Sequence, residues 1–185
     1  VKIHGFKKEY SSESFEQSGP QKIKVIIESP TKEYYLGDAI PLTIRLFNVS
    51  AETLKVKIPF ASYDFWGSLI APDTVYSLNT QTPENYRTIA READSRKEDL
   101  IYRNEQIVLQ IPNIFEFFPF LKTKRKYHSG THSLFLHYYG LGFTPKSASE
   151  LPYASDFKDR AGNKEYLAKL WPSSDTIQII LKEKK

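Results

Sequence analysis

The sequence predicts an all-β protein, an antiparallel β-sandwich of about seven strands with two long insertions, one of them containing a short helix. Three observations carry this. Apolar side chains recur at every second position in run after run, the rhythm of a half-buried strand. Aromatic residues reach 14%, with twelve Tyr and twelve Phe, and flat rings pack well on a pleated surface. Turn-forming residues bound each run, and helical spacing is confined to the stretches between strands.

Taken in order, residues 1–21 form a polar leader, Ser-rich through "KKEYSSESFEQSGPQ", either mobile or laid against the domain. Residues 22–185 make one domain. In "KIKVIIES", Ile23, Val25 and Ile27 share a face opposite Lys24, Ile26 and Glu28. After a turn at Gly37-Asp38, the residues Ile40, Leu42, Ile44 and Leu46 oppose Pro41, Thr43, Arg45 and Phe47. "NVSAE" is a polar turn of hairpin length, and beyond it Leu54, Val56, Ile58 and Phe60 point inward. Further strands are expected at 74–78, 105–111, 131–139 and 175–181. The insertions fall at 82–104, with a candidate short helix at 84–93, and at 140–174, where "NKEYLAKLW" reads as a helix capped by Asn163 and stopped by Pro172.

Composition limits the function classes. A net charge of +4 without Cys or Met excludes a disulfide framework and thiolate chemistry. The basic residues are spread out, with one dense run at Lys122, Lys124, Arg125 and Lys126, so no nucleic-acid partner is expected. The most apolar run, 111–121, is broken by Pro112, Asn113, Glu116 and Pro119 and falls short of the ~20 residues of a membrane span. The Val1-Lys2-Ile3 start suggests a processed chain, from which we expect export in a bacterium to the periplasm or cell surface, although a chain without Cys fits the cytosol as well. A lipid anchor upstream is compatible with that expectation.

"KYHSGTHSLFLHYYG" holds three of the four histidines and raises the question of a metal. An HxxxH pair shares a metal only on a helical turn, where the Cβ atoms lie about 5–6 Å apart. Here Gly130 separates His128 from His132, and the run beyond it alternates. Four residues of strand span roughly 13 Å. His137 has the opposite parity to His132, and the helical zinc motif fails because position 129 is Ser. No metal and no cofactor are expected. Asp156, Asp159 and Asn163 lack the pattern of a calcium loop and read as a helix-capping turn. No nucleophile elbow, phosphate-binding loop or dinucleotide motif is present.

The stretch "YYLGDAIPLTIRLFNVSAETLKVKIPFASYDF", with Gly37, Asp38, Asn48, Ser50, Tyr63, Asp64 and Phe65, resembles the opening of bacterial Ig-like domains of the intracellular proteinase inhibitor type. "NEQIVLQIPNIFEFF" and the later Gly130-Thr131 are similar to the late strands of that family, although His132 stands where an aromatic Tyr is expected. The resemblance implies an Ig-like sandwich. The insertion at 140–174 departs from it.

The function expected is a non-enzymatic interaction or structural module holding a protein partner on loops at one end. The alternatives are a proteinase inhibitor and a carbohydrate-binding module that would take a polysaccharide. Candidate contact residues are Lys122, Lys124, Arg125, Lys126, Phe143, Tyr153, Phe157 and Trp171. Tyr63, Phe65 and Trp66 are candidates for closing the end of the core, or for an aromatic platform.

Overall fold

The computed structural model describes residues 2–3, 5–16, 21–78, 95–118, 121, 127–138 and 172–184. Two antiparallel sheets face each other. The first has the order β2 (Phe6–Tyr10), β11 (Glu105–Ile111), β5 (Leu42–Asn48), β3 (Ile23–Glu28). The second runs β4 (Glu33–Tyr35), β13 (Ile177–Lys182), β12 (Gly130–Tyr138), β8 (Phe65–Ile70), β9 (Val75–Ser77), and its β4–β13 pair is parallel. Two small ribbons flank them: β1 (Lys2–Ile3) with β7 (Phe60–Ala61), and β6 (Leu54–Ile58) with β10 (Lys97–Ile101). A 3₁₀ turn covers Ser62–Asp64, and a single-turn helix, α1, spans Ile114–Phe117 with Asn113 accepting a bond from the Phe115 amide.

The period-two rhythm is the reason for this arrangement. Ile23, Val25 and Ile27 from β3, Leu42, Ile44 and Leu46 from β5, and Ile107, Leu109 and Ile111 from β11 meet Phe65, Leu69, Leu134, Leu136, Tyr138, Ile179 and Leu181 from the second sheet in one core. Phe47, on the opposite face of β5, is also fully buried, because Phe15 packs edge-on against it at 5.0 Å. Gly67 lets β8 and β12 approach: a Cβ there would lie 2.0 Å from the Phe135 carbonyl oxygen. At Gly37, with φ +88°, the chain turns between β4 and β5. Asp38 closes that turn by accepting from the Tyr35 amide and pairing with Lys184, which hold its carboxyl below its usual range.

The all-β antiparallel sandwich is as expected; the strand count is not. The described residues carry thirteen strands, nine of them in the two facing sheets. Within the leader, Lys2–Ile3 form β1 and Phe6–Tyr10 form β2, and β2 pairs with β11 along Glu105–Leu109. The insertion at 82–104 is shorter than expected, because its end forms β10 and a turn with Asn104 at φ 64°. The helices expected at 84–93 and in "NKEYLAKLW", and the 140–171 part of the second insertion, lie outside the described residues. Among the described residues no helix is long and apolar enough to cross a membrane.

Candidate interaction site

The segment after Gly130 is extended, so its histidines diverge. His132 points into the core with Leu134, Leu136 and Tyr138, whereas His137 sits opposite Trp66 on the other face. His132 is fully buried, and its Nδ1–H donates to the Gly130 carbonyl at 3.1 Å. Its Nε2 has no partner among the described residues. Burial pushes its pKa down, opposed by the Gly130 bond and the charge of Asp73, and reinforced by His128. His137 is buried as well, with Nδ1 at 2.5 Å from the Ser173 hydroxyl. Among the described residues no group of three His, Asp or Glu converges as a metal would need.

Asn48 and Ser50 hold the β5–β6 turn, as such residues do. The Asn48 Oδ1 accepts from the Ser50 amide and hydroxyl, while its Nδ2 donates to the carbonyls of Glu52 and Ile101, tying β10 to the same turn. Asp64 sits under β7 and receives both arms of the Arg96 guanidinium, at 2.6 and 2.7 Å, together with the Ala61 amide at 2.7 Å. Arg96 also donates to the Pro59 carbonyl and lies over the Tyr63 ring. Burial pushes the Asp64 carboxyl up, against the pull of the Arg96 bonds and charge and of the Ala61 amide. Burial works against the Arg96 charge too, yet the Asp64 carboxylate carries the guanidinium above its usual value. Three donors converge on one carboxylate, and the pair stays ionic.

Phe65 and Trp66 are completely buried. Phe65 packs against Phe117 and Tyr138. Phe65 belongs to the core and Trp66 is buried on the other face of β8 beside His137, so neither presents a face to a sugar ring; the aromatic platform is thereby corrected for both. Tyr63 is half-buried, with Arg96 over its ring. The candidate contacts Lys122, Lys124, Arg125, Lys126, Phe143, Tyr153, Phe157 and Trp171 lie outside the described residues.

The edge of the first sheet was not legible in the sequence. The Val49 amide bonds the Lys22 carbonyl, and the register runs Ile23↔Asn48 to Glu28↔Thr43. Antiparallel alternation then commits the backbone groups of Lys24, Ile26 and Glu28 to β5 and turns those of Ile23, Val25 and Ile27 outward. No strand pairs with that side among the described residues. Beside it opens a cleft of about 390 Å³ whose lining includes Phe15, Ile23, Val25, Val49, Pro172 and Asp175. Lys24 stretches over Phe15, 4.0 Å from the ring centre, and Glu28 lies 3.8 Å from Arg45.

The other edges differ. β4 and β9 are three residues each. β2 carries Lys8, which reaches across to the Leu100 carbonyl at 2.7 Å and to Asp99. Short edge strands and edge lysines are how sheets prevent unwanted pairing. β3 is six residues long, and its inward row is wholly aliphatic.

No family model matches the chain, and no curated protein matches it. A match among solved structures is the sporulation control protein Spo0M from Bacillus subtilis, at 9% identity and a TM-score of 0.41, covering 88% of this chain. The chain spans 50% of the length of that protein.

Proposed function

We propose that the chain is a non-enzymatic interaction module that takes a protein partner as a strand added to the outer edge of β3. The observation supporting this is the six-residue edge itself, with outward backbone groups, an aliphatic inward row and an adjoining cleft. An extended peptide completes such an edge with main-chain hydrogen bonds, and its alternate side chains find pockets for specificity. The cleft beside Ile23 and Val25 adjoins that edge. The end-loop residues singled out from the sequence lie outside the described residues.

Carbohydrate binding at Trp66 is removed by the burial of that ring.

The test is a selection of random twelve-residue peptides on the purified protein, followed by amide hydrogen exchange with the winning peptide bound. Protection of the Val25 and Ile27 amides by tenfold or more, about 1.4 kcal/mol, is expected. Winning peptides that leave both amides exchanging at the free rate refute the assignment.

A further inference from the structure

We propose that the strand added to β3 is the β3 of a second copy of this chain, paired antiparallel about a two-fold axis at Ile26. The inference rests on the reading of β3 as a strand-accepting edge and names its occupant.

The argument is one of self-complementarity. A two-fold interface presents the same patch twice, so a strand can pair with itself only if its own pattern reads favourably in reverse. The outward groups of Val25 and Ile27 must meet those of the second copy, which restricts the possible centres to a few. Centring on Lys24 sets that lysine against itself. Centring on Val25 sets Lys24 against Ile26, and centring on Ile27 sets Ile26 against Glu28. Only the centre at Ile26 opposes Lys24 to Glu28, twice, with Ile26 facing its own copy between them. Val25 then exchanges backbone bonds with Ile27 of the second copy, and Ile23 with Ser29.

Lys24 and Glu28 would form pairs without backbone bonds between them, where opposing Cβ atoms are closest, about 4.5–5.5 Å. Both side chains are reachable: Lys24 is half-buried over Phe15, and Glu28 is exposed with a loose contact to Arg45 at 3.8 Å. The two four-stranded sheets join edge to edge, and the unpaired side of β3 is covered.

Sedimentation and light scattering across about 1 μM to 1 mM, the range of weak association, read the outcome. The wild type is expected to form a reversible dimer. Lys24→Glu and Glu28→Lys each put like charges opposite one another at two places and should weaken it about tenfold. The double variant K24E/E28K restores the opposition and should dimerise as the wild type does, at unchanged net charge. Both positions are on the solvent face, and circular dichroism checks that each variant folds. Slowed exchange of the Val25 and Ile27 amides on concentrating the wild type is the independent readout.

A wild type that stays monomeric at the top concentration overturns the proposal. So does a dimer indifferent to either single charge reversal, or one in which the two amides exchange freely. A monomer whose Val25 and Ile27 amides are nevertheless protected by a selected peptide overturns self-pairing while the strand-accepting edge stands.

Discussion

His132 is a basic group placed where a charge has no water. Its Nδ1–H is spent on Gly130, and protonating Nε2 would leave a cation buried in the core without an acceptor. The folded pKa therefore lies below the ordinary 6.5 of the imidazole. Between those two values the unfolded chain binds a proton that the folded chain does not, so stability rises with pH. As the pH falls from neutrality, stability is lost from about 6.5 downward, and the loss levels off below the folded value. Urea midpoints of the wild type are expected to drop across that window, and those of His132→Leu to drop less. Equal slopes for the two proteins would refute the assignment. The parity that assigns His132 to the core face and His137 to the outer face was legible in "GTHSLFLHY". Their full burial was not, since alternation sets the direction of a side chain and not what covers it.

The 3₁₀ turn between β7 and β8 is held by charge where a sandwich usually relies on packing. Asp64 and Arg96 have side chains only 5% and 4% exposed, and the pair binds the β7–β8 corner to the start of β10. Removing one partner strands the other in low dielectric, which costs about 3–5 kcal/mol. Arg96→Ala and Asp64→Ala are each expected to lower stability by that amount in urea unfolding. The double replacement Asp64→Leu with Arg96→Met should cost less than either, because no unpaired charge remains. Additive losses would show that the two side chains act separately. Elements of this kind were hard to read from sequence. "FWGSLI" became β8 unnoticed, because Trp66, Ser68 and Leu69 are all buried and a strand covered on both faces shows no alternation. "KEDLI" became β10 for the opposite reason: its Glu98 answers Lys55 and Lys57 of β6 on an exposed ribbon, so polar residues prevail. By contrast β3, β5, β6 and β12 each keep one solvated stretch and one core face, and their period of two was plain.

At the scale of the whole molecule, sheet edges decide how the chain treats its neighbours. One edge of the first sheet is β2, contributed by residues that look like a polar leader and guarded by Lys8. The opposite edge is β3, which is six residues long and whose one lysine, Lys24, lies over the Phe15 ring. Deleting residues 1–16 would remove β1 and β2 together with two aromatic contacts, Phe6 on Phe60 at 5.4 Å and Phe15 on Phe47 at 5.0 Å. It would also expose the long β11 ladder, with Ile107 and Leu109 on its inward side. Full burial of one large apolar side chain is worth about 1.5–3 kcal/mol, and both rings are half-buried, so their loss together is expected to cost on the order of 2–3 kcal/mol. The truncated chain is expected to unfold at a lower urea midpoint. It is also expected to associate in an open-ended way, because each molecule then carries two unpaired edges of the first sheet, β11 and β3, and can add a neighbour on both sides. Light scattering distinguishes this growth from the closed pair proposed for the intact chain. A truncated protein with an unchanged midpoint and a fixed mass would mean that the N-terminal strands neither stabilise the sandwich nor guard its edge.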